Sequence, residues 1–380
     1  MPHVKVEKRK KREIMIQTFG LFLTEQAKNK HNRGDVAEAI FAAAIAARFI
    51  VQPDKKVERS DVEKPLAKLL FDQKDTTKRK DRDGTTIDQI KLFVSIPKNS
   101  YEFIKVRKNW DQVSDIWDSC LDKVNTDLRL QRQAKIFFSN NRENEISVRA
   151  DGTKDQKGSK VDVFLEIDGK RTKNQVSLKT KGGEQFGQSP ANDFADFEKV
   201  FRSGFNVEIK SLKSDWEEDL KDFDKSVTYK SRVDSSLANQ KRVYKAAVKK
   251  LFASATSQIN DLSKQGELDL VEALIQFIRK YATKDDWEFV EFVKLDKGKA
   301  KTLRFGKSFE KKMKDYDFQA KLRMDGDPTI QIREKKTDKE LVQIRLKIES
   351  ASSTKGGEKS YRIYSRMYFE LPPKSILFDL

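Results

Sequence analysis

Histidine and cysteine are nearly missing from this chain of 380 residues, which has two histidines, His3 and His31, and one cysteine, Cys120. A single cysteine permits no disulfide within the chain, which suits a reducing cytoplasm. So few His and Cys residues cannot assemble a Cys/His zinc site. They also fall short of what histidine-metal nucleases require, and a Ser-His-Asp triad would have to use His31 or a residue of the N-terminal tail. An uninterrupted apolar run of roughly 18 residues is absent too, so nothing reads as a membrane span. The apolar stretch from Ile14 to Leu23 is short, contains Gln17 and is followed by no small-residue cleavage site, so no signal peptide is expected. The expected setting is the cytoplasm.

Positive charge, by contrast, is abundant. Lys and Arg number 78 against 60 Asp and Glu, a net charge of +18, spread along the whole chain. A protein this basic usually meets a polyanion, so nucleic acid is the expected partner. The charged fraction of 36% nearly equals the hydrophobic 37%, but 25 Phe residues and several apolar helical runs argue against wholesale disorder. Any hydrolytic chemistry must then rest on carboxylates, lysines and a hard, oxygen-liganded metal.

Along the chain, residues 1–12 read as a basic arm and 13–30 as a helix docking on the next segment. Gly34 and Asp35 open a second helix, with Asp35 placed to cap it or to face its positive end. The stretch from Val36 to Val51 is apolar nearly all round, the signature of a buried helix, and Pro53 ends it. Residues 54–90 read as a charged surface segment, mobile or partly helical. Residues 88–138 carry mixed signals, with a helix expected over Asp111–Leu130. Alternation then sets in: EISVRA, KVDVFLEI and NQVSLKT predict three strands of a β-meander, the last two joined by a tight turn at Asp168-Gly169. Residues 196–283 read as mainly helical, with helices expected over Leu237–Leu262 and Glu267–Tyr281. From Trp287 onward short basic, aromatic strands appear, among them FQAKLRM, TIQIRE, LVQIRLKI and SYRIYSRMYFEL. The expected boundary lies near residue 283, and no repeat of fixed period is present.

Strand residues two apart share a face. Asp162, Phe164 and Glu166 therefore share one side of their strand, and Gln175, Ser177 and Lys179 one side of the next, while Val161, Val163, Leu165, Val176 and Leu178 point to the other. On a half-exposed sheet such polarity is ordinary. Here a helix upstream also carries Glu38 among Phe41, Ala42 and Ile45, and a buried carboxylate needs a partner such as a metal or a lysine. The plain alternative is that Glu38 occupies the first helical turn because the dipole favours it.

A helical acid, a strand Asp and a strand Lys some 17 positions later resemble the PD-(D/E)xK, or restriction-endonuclease-like, nuclease superfamily. The resemblance covers roughly residues 34–195. It implies Asp162 as metal ligand, Lys179 as catalytic lysine and Glu38 as the helical carboxylate, with Mg²⁺ (or Mn²⁺) as cofactor. The expected Pro before Asp162 is Val161, and the acid expected two before Lys179 is Ser177. That Ser-x-Lys form is similar to restriction-enzyme branches such as those of HpaII and HaeIII, and to uncharacterised phage proteins with a Ser-Leu-Lys strand followed by Gln-Phe-Gly-Gln. Glu166 is positioned to compensate for the missing acid and Gln175 to orient a water. The fold so implied is α/β (α+β mixed): a central mixed sheet flanked by helices in a nuclease-like domain, 13–283, plus a β-rich C-terminal domain, 284–380. The nuclease domain would have its core at 34–195, an inserted segment at 54–140 and a helical extension at 196–283. Double-stranded DNA is the expected substrate, contacted by Lys181, Gln185 and Gln188 after the catalytic strand, by Lys241, Arg242 and Lys245 on a helix, and by Arg362 and Arg366 on C-terminal strands. A homodimer is expected from the family habit of cutting two strands with two sites. The alternatives are a nuclease-like DNA-binding or phage accessory protein without activity, which Ser177 favours, and a structural module whose basic face is incidental.

Overall fold

The structure is a computed structural model and describes residues 31–72, 85–150, 161–180, 184–223, 225–229, 235–283, 290–323, 325–355, 358–372 and 375–379. The basic arm, the helix expected over 13–30 and Lys181 lie outside the described residues. The chain is a mixed α/β protein. It runs through α1 (Arg33–Arg48), α2 (Arg59–Asp72), β1 (Thr85–Ile87), β2 (Ile90–Val94), α3 (Lys98–Lys105), α4 (Ser114–Thr126), α5 (Leu128–Ser139), β3 (Ile146–Ala150), β4 (Val163–Ile167) and β5 (Lys170–Lys179). It continues with β6 (Glu184–Pro190), α6 (Phe194–Phe205), α7 (Lys213–Asp219), β7 (Ser226–Tyr229), α8 (Ser235–Gln265) and α9 (Leu270–Ile278). It closes with β8 (Val290–Asp296), β9 (Lys299–Arg304), α10 (Lys307–Met313), β10 (Phe318–Arg323), β11 (Thr329–Glu334), β12 (Glu340–Lys355) and β13 (Glu358–Leu371).

Two compact units emerge, Met1–Thr180 with Phe292–Lys301, and Lys181–Glu291 with Thr302–Leu380. This corrects the boundary expected near 283. The helices of 196–283 belong with the C-terminal strands, because α8 and α9 cover the apolar side of β10 rather than extending the first core. The segment 54–140 is likewise no separable insertion. Trp117, Cys120, Val124 and Phe137 share one hydrophobic core with α1 and with strands β2 to β5.

In the first unit the sheet order is β1-β2-β3-β4-β5-β8-β9. The meander expected from alternation is there: β3–β4 and β4–β5 are antiparallel, with Val163 opposite Val176 and Phe164 opposite Gln175. β2 runs parallel to β3, so the sheet is mixed. The β4–β5 turn works because Asp168 and Gly169 both take positive φ, 51° and 71°, as a two-residue turn with right-handed twist requires. α1 lies against this sheet with nearly every side chain buried. Asn32, not Asp35, caps it, its Oδ1 accepting from the Gly34 N–H at 2.9 Å. The helix ends at Arg48, short of Pro53. There the buried Arg48 guanidinium donates to the carbonyls of Val51, Gln52 and Lys55, satisfying the chain as it turns away. The single helix expected over 111–130 is two. Asp127 breaks it by capping α5 with hydrogen bonds from the amides of Arg129 and Leu130.

In the second unit five strands run in the order β10-β11-β12-β13-β6, with β7 also paired to β13. Neighbours are antiparallel throughout. In β6 Phe186 points inward while Gln185 and Gln188 face solvent. Gly187 is required there. A Cβ at this position would fall 2.7 Å from Tyr281 Cβ and 2.9 Å from a Phe369 ring carbon.

Candidate active site

Four residues from three elements meet at one end of the β4–β5 pair. Asp162 stands just before β4, tied in by its backbone N–H, which donates to the Val176 carbonyl at 2.9 Å. One of its carboxylate oxygens, Oδ2, gathers three contacts. The Leu178 N–H donates to it at 2.7 Å, the Ser177 hydroxyl at 3.1 Å, and the Lys179 ammonium stands 3.8 Å away. Oδ1 accepts no hydrogen bond from any described residue. Lys179 lies over the ring of Phe292 on β8, its Nζ 5.8 Å from the centroid, and its side chain keeps 23% of its surface exposed. A cation on an aromatic face with a carboxylate beside it stays solvent-reachable yet oriented.

Glu38 completes the group from α1. Its Oε2 is buried without any hydrogen-bond partner. Burial first, then repulsion from Asp162 and then from Asp35, pushes its pKa up to about 9, with Lys179 acting in the opposite direction. So Glu38, Asp162 and Lys179 are near enough to feel one another strongly, and without a cation Glu38 holds its proton at neutral pH. Asp35, which the sequence placed to cap the helix or to face its positive end, lies beside this group. It is buried, and the Ser100 hydroxyl donates to its Oδ2 at 3.0 Å. Its signal was available, because residues three apart on a helix share a face, as Asp35 and Glu38 do. Phe292 carried no such signal, since its strand joins the sheet from more than a hundred residues downstream.

The two supporting residues fare differently. Glu166 is not part of the group: its carboxylate accepts from Arg149 on β3 at 2.9 Å, beyond a register shift in the β4–β5 pairing. It neutralises a neighbouring strand instead of replacing the missing acid. Gln175 shares the Ser177 face and is buried, with Oε1 unpartnered and Nε2 only 3.5 Å from the Thr172 carbonyl. His31 stacks on Phe103 with ring centroids 3.6 Å apart, and its pKa is lowered by burial and then by Arg33. It is a ring packed on an aromatic face, and no described residue is hydrogen-bonded to it.

No family model, curated protein or solved structure matches this chain. The chemistry of the group therefore has to be read from its own atoms. Its donors are carboxylate and hydroxyl oxygens with one ammonium. Among the described residues no cluster of three or more His, Cys, Asp or Glu side chains is arranged to hold a metal. Two carboxylates still suit a hard divalent cation, since Mg²⁺ keeps several waters and takes only one or two carboxylates.

Those of the residues expected to touch DNA that are described belong to the second unit. Gln185 and Gln188 lie exposed on β6, their side chains joined at 3.3 Å. Arg362 and Arg366 lie exposed on β13. On α8, Lys241 and Lys245 are engaged within the fold, Lys241 with the Ser350 hydroxyl at 3.0 Å and Lys245 with Asp327 at 3.3 Å, while Arg242 reaches back to Asn239 at 2.9 Å. Of the three, only Lys245 has a carboxylate partner among the described residues. Among the described residues no helix is long and apolar enough to cross a membrane.

Proposed function

We propose that this protein is a Mg²⁺- or Mn²⁺-dependent endodeoxyribonuclease with a restriction-endonuclease-like core, hydrolysing phosphodiester bonds of double-stranded DNA. The observation that carries the reading is the meeting of Glu38, Asp162, Ser177 and Lys179 in one group, as the resemblance of their pattern anticipates. The orphaned Glu38 Oε2 and the free Asp162 Oδ1 fit an oxygen-liganded cation, and these two residues would hold it. Bound there, Mg²⁺ would supply electrostatic stabilisation of the phosphate and a water of lowered pKa. The Ser177 hydroxyl and the Leu178 amide fix the direction of the Asp162 carboxylate. Lys179 would face the attacking water or the phosphate oxygens, taking part as a proton acceptor when neutral or as a cation opposing the charge that develops. In the hydrolysis a water oxygen bonds to phosphorus, the bond to the leaving oxygen breaks, and that oxygen takes up a proton. Cutting both strands asks for two sites, so a homodimer goes with this reading.

Plasmid incubated with Mg²⁺ or Mn²⁺ tests it. Cleavage is expected from the wild-type chain, lost in Lys179→Ala and in Asp162→Ala. Undiminished cleavage by both variants refutes the site. One observation favours a second reading, a nuclease-like DNA-binding or phage accessory protein without activity: Ser177 stands where an acid would bring a third ligand, and no three-ligand cluster is formed by the described residues. Salt-dependent DNA binding without cleavage of duplexes of varied sequence would establish that reading instead.

A further inference from the structure

The second unit's sheet has two unlike faces. Ala320, Ile332, Ile344, Leu346, Ile363, Met367 and Phe369 are buried on one, where α8 and α9 cover β10. The strand registers define the other. Arg345 lies opposite Tyr368, Lys347 opposite Arg366, and Glu349 opposite Tyr364, while on the far side of β13 Gln188 lies opposite Tyr368 and Pro190 opposite Arg366. β13 thus presents Arg362, Tyr364, Arg366 and Tyr368 in alternation along about 20 Å of one face. Both arginines and Gln188 are exposed and both tyrosines are half-buried.

The charges on this face are not all alike. Arg345 is held by Glu370 and Lys347 by Glu349 at 3.1 Å, so these two acids are already engaged. Arg362 and Arg366 have no carboxylate within ion-pair distance among the described residues, and the Arg366 guanidinium rests 5.6 Å from the Tyr364 ring centroid. The patch therefore offers two arginines without a salt-bridge partner among the described residues, Arg366 standing in the field of Glu349, interleaved with two tyrosine rings, one of them hydrogen-bonded to Glu349.

We propose that this face of β13, with Gln188 beside it, binds single-stranded DNA. The proposal rests on the reading that DNA is the partner but not on the activity of the carboxylate–lysine group. A duplex is read by an element narrow enough to enter a groove, a helix or a two-stranded ribbon. Tyr364, Arg366 and Tyr368 stand instead on a strand inside a wider sheet, which does not fit into a major groove as a helix or a two-stranded ribbon does. Tyrosine rings on a flat face suit unstacked bases, and interleaved arginines suit the phosphates between them. This revises the sequence expectation for Gln188, Arg362 and Arg366 from duplex reading to capture of an unpaired strand.

The test uses the full chain in EDTA, so that no cleavage occurs, and fluorescence anisotropy with labelled oligothymidine, oligouridine and a duplex. Oligothymidine is expected to bind most tightly. Tyr364→Ala and Tyr368→Ala should each weaken it by about ten-fold, the scale of losing one base stack, with Tyr364→Phe restoring the affinity. The double variant Arg362→Gln, Arg366→Gln should reduce the slope of log affinity against log salt by about 1.4, roughly 0.7 for each lost phosphate contact on a single strand. Melting curves check that each variant folds, and the arginine pair, being exposed, keeps the test intact if a tyrosine variant does not. Asp162→Ala and Lys179→Ala should bind the strand like wild type, so loss of cleavage with retained binding indicts only the nuclease site. Equal or tighter binding of the duplex or of oligouridine, or unchanged affinity and salt slope in the arginine double variant, overturns the proposal.

Discussion

Replacing Glu38 by Gln keeps the side chain's shape and removes its proton equilibrium, which makes the electrostatics of the group measurable without any substrate. The carboxyl titrates near 4.5 in an ordinary setting and near 9 in the folded chain, chiefly through burial and then through Asp162 and Asp35. Between those two values the native state holds a proton that the unfolded chain has lost, so native stability falls as pH rises. The contribution is fully present below about pH 4.5 and is exhausted above about pH 9. One fully held proton corresponds to a slope of about 1.4 kcal/mol per pH unit. From pH 6 to pH 8 the wild type should therefore lose about 2.7 kcal/mol that Glu38→Gln retains. Urea unfolding in EDTA at several pH values reads this directly. The groups far from Glu38 titrate alike in both proteins, so the difference between the two curves reports Glu38 together with the charges it is coupled to. The Gln amide brings its own pH-independent offset, and the slope of the difference, not its absolute value, is what counts. Parallel stability curves from pH 5 to pH 9 would show that Glu38 is ionised and solvated in the native state, and the account of a crowded, cation-seeking carboxylate would fail. Saturating Mg²⁺ should flatten the wild-type slope, since a bound cation favours the ionised carboxylate, and should leave Glu38→Gln nearly unaffected.

Three further outcomes are expected. Glu166→Gln should leave cleavage unchanged and lower stability by no more than about 1 kcal/mol, because its partner Arg149 is partly exposed; a loss of activity comparable to that of Asp162→Ala would return Glu166 to the site. Ser177→Ala should slow cleavage by about ten-fold, the scale of one hydrogen bond to a charged group, with the Leu178 amide still holding Asp162; single-turnover rates measure it. Gly187→Ala should lower the urea midpoint by an amount equivalent to about 1–3 kcal/mol, through overpacking against Tyr281 and Phe369. An unchanged midpoint would mean that β6 can lift away from those rings at no cost.

Much of the first unit was legible because its signals are local. Alternation located β3, β4 and β5, and Asp168-Gly169 fixed how the last two pair. The apolar run after Asp35 announced a buried helix. What failed to show is what depends on distance or on a single polar residue. Hydrophobic spacing runs unbroken through Asp127, and only its side chain, capping α5, reveals that one helix is two. No strand was expected over β6, and its Gly187 is there because Tyr281 and Phe369 press on the strand. The boundary near 283 rested on a change from helical to strand patterns, but β6, β7 and the strands β10 to β13 complete one sheet from both sides of that point. At the site, Glu38, Asp162 and Lys179 were legible from type and spacing, and Glu166 was misassigned because strand parity alone says nothing of the arginine on the next strand.

The residue that departs most from the nuclease pattern, Ser177, reads differently once Asp35 is counted. The pattern expects a strand acid two positions before the lysine. In this chain that position lies against Asp162, near a Glu38 whose carboxyl is already held protonated by burial and by two other carboxylates. A further acid there would add a like charge beside Asp162 and Glu38, and each added like charge raises the energy of ionising the rest. A hydroxyl avoids that repulsion and still orients Asp162 by donating to it. The negative charge that a divalent cation would seek is supplied from α1, where Asp35 and Glu38 stand one helical turn apart. On this reading the serine does not subtract from a complete site: it belongs to an arrangement in which the helix, not the strand, brings the second acid.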